Sequence, residues 1–213
     1  MSNQGQSVIA SSLDFPAFTT RLCPHLSQTV EKTSAILIGR HQLTETSLIV
    51  HWCSADHGLL KTVAKGALRP KSSFAGRLDL FVSADIRWTP SRSGDLHTLA
   101  EVALTEPRLH LRDSYNRVLA ATYLVKLVEM SVERETPIPD IHDLLHKALD
   151  YLVAHDPSAA LVERFELRLA EALGLTGDGS RPIAALQSVV HKELPVQRAQ
   201  LWRQMKAGEK RSS

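Results

Sequence analysis

The chain has 213 residues, of which 43% are hydrophobic and 23% charged, as in an ordinary globular protein with a buried core. A net charge of only +2 excludes polyanion binding through overall charge alone, and two cysteines are too few for a disulfide scaffold. No apolar run reaches transmembrane length and the N terminus lacks a secretory signal, so we predict a cytoplasmic protein without a membrane partner.

Five β-strands are predicted after a polar segment, residues 1–31, that we interpret as a flexible N-terminal tail. The fourth strand is the clearest, because apolar and polar residues alternate over residues 80–89. Turn sequences, and no long helix, separate the strands, which suits a small antiparallel barrel over residues 32–107. An OB-like barrel is favoured, and an SH3-like barrel is the alternative. The predicted strands are residues 33–41, 48–53, 59–64, 80–89 and 97–104.

Helical periodicity replaces strand periodicity after Pro107. Asp113 or Ser114 is the predicted cap of a first helix, Asp140 of the second and Ser158 of the third, with Gly174 as a C-cap. The fold class is therefore α+β, with a barrel followed by an all-α domain over residues 108–195 that we predict to bind partners. Residues 196–213 are interpreted as a basic, frayed tail. The predicted helices are residues 114–135, 140–152, 158–173 and 182–190.

The hairpin formed by the second and third strands leads into a cationic segment. Asp56-His57-Gly58 has the composition of a tight turn, and Pro70 prevents the following segment from continuing as a strand or helix. No acidic residue interrupts this segment, which predicts a surface that binds the phosphates of a nucleic acid. The predicted phosphate contacts are Lys61, Lys65, Arg69, Lys71 and Arg77, with Arg40 as a possible addition.

Aromatic residues, on which an OB barrel stacks bases, are few in this chain. Trp52 and Trp88 lie on apolar strand faces and are predicted to be core. Phe74, between two cations of the basic segment, is the best candidate for stacking. With so few stacking platforms, we expect binding to be weakly sequence-specific and strongly dependent on salt.

Catalytic and metal-binding patterns are weak. His142 and His146 are four residues apart on a predicted helix, but the run lacks the Glu of a zinc protease. The pairs Cys23/His25 and His51/Cys53 have spacings unlike those of zinc knuckles, and Cys53 is interpreted as a buried hydrophobe. We therefore predict no enzyme activity, no metal and no cofactor. A hydrolase using Asp56, His57 or Cys53 is a competing hypothesis.

Several short motifs resemble the N-terminal domain of the RecO family of DNA repair proteins. They are Glu45 after a polar turn, Asp56-His57-Gly58, Lys65-Gly66-Ala67 and Arg69-Pro70-Lys71-Ser72. The segments Thr98-Leu99-Ala100-Glu101-Val102 and Phe165-Glu166-Leu167-Arg168-Leu169 are also similar to the family. Glu45 is interpreted as structural, satisfying backbone donors of the hairpin.

The resemblance implies a recombination mediator, nucleoid-associated, that binds single- and double-stranded DNA, anneals complementary strands and assists the loading of RecA. Its implied partners are RecR and the acidic, apolar-ended tail of single-strand DNA-binding protein, which would need an apolar groove with cations on its rim. Many family members carry a four-cysteine zinc module after the Gly-Leu that matches Gly174-Leu175; this chain has no cysteine there. A general OB module that binds RNA is the alternative function.

Overall fold

A closed five-stranded barrel forms the first part of the computed structural model, which describes residues 29–175, 181–190 and 193–212. The strands follow the order β1-β2-β3-β5-β4, and β4 pairs with β1 to close the sheet. This confirms the OB-like barrel. One detail of the prediction was wrong, because β3 and β5 run parallel while the other neighbours are antiparallel. The strands are β1 (Glu31–Gln42), β2 (Leu48–Ser54), β3 (Gly58–Ala64), β4 (Ser83–Thr89) and β5 (Leu96–Glu106).

The alternation of side chains along the strands builds two cores. Inward-facing residues fill the barrel, where the indole of the fully buried Trp52 donates a hydrogen bond to Thr62 Oγ1 at 2.9 Å. Outward-facing residues of the first three strands join the core of the helical domain instead. The two domains therefore share apolar packing. The outward-facing residues are Ile36, Ile38, Cys53 and Leu59.

The fourth strand begins three residues later than predicted. Phe81 has a φ of 71°, a conformation that interrupts a strand, and its N–H donates to the Leu37 carbonyl at 2.8 Å. The Phe81 side chain turns into the core shared with the helices. The consecutive apolar residues 80–82 thus reflect burial on two sides, and the strand ladder starts only at Ser83.

In the part of the chain that the structure describes, five α-helices follow a 3₁₀ helix, Leu109–Asp113. The first is buried on several sides, which explains its nearly continuous apolar surface. Ser114 is the N-cap residue of α1, one of the two predicted positions, although its side chain makes no cap bond. The predicted cap of α2 was wrong, because Ile138 is the N-cap residue and Asp140 lies in the first turn. The helices are α1 (Tyr115–Ser131), α2 (Pro139–Ala154), α3 (Ala159–Ala172), α4 (Pro182–Val190) and α5 (Gln197–Ser212).

Two ends of α3 follow the sequence prediction. Ser158 Oγ accepts a hydrogen bond from the Leu161 N–H at 3.2 Å, which is the expected cap. Gly174 has a φ of 72°, the left-handed conformation that ends a helix. The predicted flexible link over residues 176–180 lies outside the described residues, as do residues 1–28 of the predicted N-terminal tail.

The C-terminal segment is helical rather than frayed. Arg198 in α5 forms an ion pair with the buried Glu166 of α3 at 2.7 Å, and the Tyr123 hydroxyl donates to the same carboxylate at 2.6 Å. The Glu166 hydrogen bond raises the pKa of Arg198. Leu201 is fully buried against the helical core. These contacts join distant parts of the chain and give α5 a stability that its polar sequence does not indicate. No helix among the described residues is both long and apolar enough to span a membrane.

The β2–β3 turn is where the barrel meets the segment between α1 and α2. The Ile138 N–H donates to the Ala55 carbonyl at 2.9 Å, and the Glu135 N–H donates to the Leu59 carbonyl at 3.3 Å. Gly58 has a φ of 65°, and a Cβ there would lie 2.1 Å from the Thr136 carbonyl oxygen. Glycine is therefore required both by the turn and by the close approach of the two backbones.

Candidate nucleic-acid interface

The segment between β3 and β4 folds as successive tight turns over one end of the barrel. Its backbone hydrogen bonds include Arg69 N–H to the Gly66 carbonyl at 3.1 Å and Ser72 N–H to the Arg69 carbonyl at 3.0 Å. Gly66 has a φ of 68°, and the Cδ atom of Arg69 lies 3.4 Å from the position of a Cβ there. The aliphatic part of Arg69 thus folds back over the turn, which helps to orient its guanidinium.

Four cations of this segment, which we call the basic loop (residues 65–77), are exposed and uncompensated. Within the described ranges, no carboxylate lies within 4.0 Å of any of them. Arg77, at the end of the loop, is held in place, because its guanidinium donates to the Val102 carbonyl at 3.0 Å. The surface therefore has the unneutralised positive charge that attracts a polyanion. These cations are Lys65, Arg69, Lys71 and Arg77.

Arg40 is not free in the same way. Its guanidinium lies 3.5 Å from the Asp79 carboxylate and donates to the Leu78 carbonyl at 2.5 Å. Arg112 contacts the same carboxylate at 2.6 Å, so one acid is shared by two arginines. Half of the Arg40 side chain remains accessible, but its charge is partly neutralised within the protein.

Lys61 also differs from the basic loop. It is half-buried in β3 and lines a cavity of about 80 Å³ against α1, together with Glu129 and Arg134. A hydrogen bond from His51 lowers the pKa of Glu129, and the Lys61 charge acts in the same direction. Lys61 therefore faces a carboxylate of its own chain, on the side of the barrel that the helical domain covers.

Phe74 is not available for base stacking. Its side chain is only 8% exposed and packs into the barrel core, where Trp52 and Trp88 are buried as predicted. The loop position alone suggested exposure, but the loop folds back over the open end of the barrel and uses Phe74 to cover it. The barrel, as far as the structure describes it, exposes no tryptophan or phenylalanine.

The turn between β1 and β2 is stabilised by Thr44 rather than by Glu45. Thr44 Oγ1 accepts hydrogen bonds from the Ser47 N–H at 3.2 Å and the Thr46 N–H at 3.4 Å. Glu45 is exposed and makes no hydrogen bond to any described residue. The structural role predicted for Glu45 thus belongs to its neighbour.

The residues of the hydrolase hypothesis do not form a site. Burial raises the pKa of the fully buried Cys53 thiol to about 12, which removes its thiolate at neutral pH. Asp56 is exposed in the turn, and His57 packs edge-on against Trp88 with ring centres 4.8 Å apart. Cys53 lies in the core shared with the helices, whereas His57 covers the barrel core.

Among the described residues, one cluster of side chains of the types that bind metals surrounds an arginine. Atoms of Glu106, His146 and Asp150 lie within 4.8 Å of one another. The buried Arg108 already binds all three, at 2.6 Å to each carboxylate and 2.9 Å to His146 Nδ1. The cluster is thus an ion-pair network that sequence spacing could not reveal.

The other predicted ligands do not form a metal site among the described residues. Burial, together with the His146 charge, lowers the pKa of His142, the other member of the histidine pair. Cys23 and His25 lie outside the described residues.

A groove between α2 and α3, of about 940 Å³, is a second surface that the sequence did not locate. Apolar side chains lining it include Leu144, Leu161 and Phe165, and Tyr151 stands half-exposed at its edge. Three cations line it as well. Lys147 pairs with Asp143 at 2.6 Å and Arg168 with Glu171 at 2.8 Å, whereas Arg164 has no carboxylate within 4.0 Å among the described residues.

Comparison with known proteins identifies the family. Two family models, described as Recombination protein O N terminal and Recombination protein O C terminal, match residues 28–108 and 112–182. The DNA repair protein RecO of Aromatoleum aromaticum is 33% identical over 172 residues, covering 77% of this chain and 69% of that protein. The chain belongs to the RecO family. Membership in this family supports a role in DNA repair and recombination, and the boundary between the two matches lies where the barrel gives way to the helices.

Two further RecO relatives show the same relationship. The DNA repair protein RecO of an Azoarcus species is 34% identical over 151 residues, and that of Salinibacter ruber is 30% identical over 149 residues. Each alignment includes 70% of this chain, but only 60% and 57% of these relatives. The chain therefore spans less than two thirds of the length of these two RecO proteins.

Proposed function

We propose that the chain is a non-catalytic recombination mediator of the nucleoid, which binds single- and double-stranded DNA, anneals complementary strands and assists RecA loading on DNA coated by single-strand DNA-binding protein. One observation carries the DNA-binding part. The basic loop presents Lys65, Arg69, Lys71 and Arg77 to solvent, without a carboxylate of the described chain beside them. Family membership supports the repair context.

The proposed binding mode is contact with phosphates. Because Phe74, Trp52 and Trp88 are buried, the barrel exposes no tryptophan or phenylalanine platform within the described residues, and charge must supply most of the affinity. Phosphates occur in both single strands and duplexes, so the same loop would bind both. Neutralising part of the phosphate charge also lowers the repulsion between two complementary strands, which favours annealing.

A salt titration of single-strand binding tests this proposal. Changing Lys65, Arg69 and Lys71 together to Ala removes three phosphate contacts, each of which contributes roughly 0.7 to the slope of log K against log salt on single strands. We expect a slope shallower by about two units, together with slower annealing of complementary strands.

The matched control removes three exposed cations that already have partners. Lys32, Arg87 and Arg134 pair with Asp85, Glu101 and Asp95, and changing them to Ala alters the net charge by the same amount. We expect a change in slope of less than about half a unit for this control. Equal slopes for the two triple variants would contradict the assignment of the basic loop.

The competing function, an RNA-binding module, is distinguished by comparing the binding of DNA with that of RNA, which differ in the sugar. DNA and RNA strands of equal length and sequence should bind with similar affinity if the loop contacts phosphates alone. A clear requirement for 2′-hydroxyl groups would favour the RNA-binding function over DNA repair.

For the helical domain, we propose that the groove between α2 and α3 binds the tail of single-strand DNA-binding protein. The apolar lining suits the apolar end of that tail, and Arg164 provides the unpaired cation for its carboxylates. RecR is the second proposed protein partner, and co-sedimentation of the two purified proteins checks this contact.

Fluorescence anisotropy with a labelled tail peptide tests the groove. Arg164→Ala should weaken peptide binding about tenfold, the effect of one lost charge-assisted contact. Arg203→Ala is the control, because Arg203 is an exposed arginine on α5 that does not line the groove. Identical peptide affinities for the two variants would place the tail elsewhere.

A further inference from the structure

Two exposed leucines adjoin the basic loop. Leu68 is 48% exposed, within the turn that carries Arg69, and Leu43 is 46% exposed at the start of the β1–β2 turn. The Leu68 N–H donates to the Thr46 carbonyl at 2.9 Å, so the two loops are hydrogen-bonded to each other. Both leucines therefore belong to the same end of the barrel as the uncompensated cations.

The surroundings of these leucines are unusual. The neighbouring Ala67 packs against the barrel core, whereas Leu68 turns toward solvent. Between residues 31 and 82, Leu43 and Leu68 are the two large apolar residues that the structure shows as exposed. A single exposed leucine is ordinary, but two on joined loops, beside the four cations of the basic loop, form an apolar patch within the proposed phosphate-binding surface.

We propose that Leu43 and Leu68 contact the faces of unstacked bases while the cations of the basic loop hold the neighbouring phosphates. This inference rests on the proposed DNA binding and adds a preference for single strands. Apolar side chains are known to insert between base steps as wedges, at a cost in stacking energy. In a single strand the base faces are already accessible, whereas in an intact duplex they are stacked, so the leucines favour single-stranded DNA.

The experiment separates apolar contact from charge. The double change Leu43→Ala and Leu68→Ala is compared with the unaltered chain on a single strand and on a duplex of equal length, over a range of salt concentrations. We expect about a five- to tenfold loss of single-strand affinity at every salt concentration, because the lost contact is apolar. The salt slope should not change, and duplex affinity should fall less than about twofold.

Matched variants separate the effect of these two leucines from that of losing any exposed leucine. Leu104 and Leu109 are also exposed, at 37% and 63%, and their double change to Ala should leave both affinities unchanged. Leu68→Gln keeps the length of the side chain without its apolar surface, and should reproduce the loss. Leu68→Trp keeps an apolar face at this position, so this variant should bind single strands as tightly as the unaltered chain. The fluorescence of its tryptophan should be quenched when DNA is added.

Each outcome decides a different question. If the lysine and arginine triple variant flattens the salt slope, but the leucine double variant binds both DNA forms normally, the leucine contact is wrong and the proposed function stands. Equal losses on single strand and duplex would also overturn it. If the triple variant has no effect, the basic loop itself is not the DNA site.

Discussion

The two ends of strand β3 hold glycines with the same backbone conformation in opposite surroundings. Gly58 begins the strand with a φ of 65°, and Gly66 follows its end with a φ of 68°. A Cβ on Gly58 would lie 2.1 Å from a backbone oxygen of the helical domain, whereas one on Gly66 would meet the flexible stem of Arg69 at 3.4 Å. One end of the hairpin is therefore enclosed, and the other is open.

The arginines divide in the same way. Where the barrel meets the helices, the Arg108 side chain is 2% exposed and binds Glu106, Asp150 and the Phe81 carbonyl. At the open end, the cations of the basic loop have no carboxylate of the described chain beside them. A cation that is neutralised internally stabilises the fold, and one left unneutralised is available to an external polyanion.

The largest effect should come from closing the enclosed end with a side chain. Gly58→Ala adds a Cβ against the Thr136 carbonyl and also imposes an unfavourable φ. We expect a loss of about 3–4 kcal/mol in the free energy of unfolding, measured by urea denaturation. Gly76→Ala is the control, because Gly76 has a φ of 71° with no atom near its Cβ position, and should lose only about 1 kcal/mol. Equal losses would show that the close contact is unimportant.

Arg108→Met tests the internally neutralised charge. Removing the guanidinium leaves the Glu106 and Asp150 carboxylates facing each other and several buried acceptors unpaired, which should cost about 2–4 kcal/mol of unfolding free energy. The salt slope of DNA binding should be unchanged. Arg87→Met, which breaks an exposed pair with Glu101, should cost less than about 1 kcal/mol. A shallower salt slope for Arg108→Met would mean that Arg108 also contacts DNA, and would contradict the division between neutralised and available cations.

Local signals were enough to predict most of the barrel and one helix start. Strand alternation, the turn sequence at Gly58 and the cap at Ser158 each depend on residues a few positions apart, and the structure confirms them. The uninterrupted run of cations was likewise visible in the sequence. Burial of Trp52 and Trp88 followed from their positions on apolar strand faces.

Long-range packing decided what the sequence could not show. Phe74 is in a polar loop but covers the barrel end, and Arg40 pairs with an acid 39 residues away. The helix α5 depends on the pair formed by Arg198 and Glu166, which are 32 residues apart. The groove between α2 and α3 exists only when both helices are packed. None of these contacts leaves a periodic or short-range pattern in the chain.

Gly66→Ala tests the open end. The positive φ should cost about 1 kcal/mol, or roughly 2–4 °C in melting temperature for a chain of this size. The new Cβ would also touch the Arg69 stem at 3.4 Å and restrict its rotamers, so single-strand affinity should fall about two- to threefold at low salt. Gly76→Ala, with a similar φ, should lose the same stability without the change in affinity. If both variants bind DNA equally, the position of Arg69 over the turn does not contribute.

The smallest effect is expected midway along the paired strands β2 and β3, where His51 of β2 and Lys61 of β3 lie beside Glu129 of α1. The hydrogen bond from His51 Nδ1, 2.8 Å long, lowers the pKa of Glu129 below its ordinary value of 4.5, despite the opposing effect of burial. Because the folded-state pKa is the lower one, this contribution to stability is complete above pH 4.5 and is lost as the pH falls through the folded-state value.

Glu129→Gln should therefore be less stable than the unaltered chain near neutral pH, and the difference should shrink in acid. Since the Glu129 side chain is 38% exposed, we expect less than about 1 kcal/mol, measured by urea denaturation at a series of pH values. Glu101→Gln, which breaks the more exposed ion pair with Arg87, is the control for the loss of a surface carboxylate at neutral pH. A difference that grows as the pH falls would contradict this, because it would mean that burial holds Glu129 protonated.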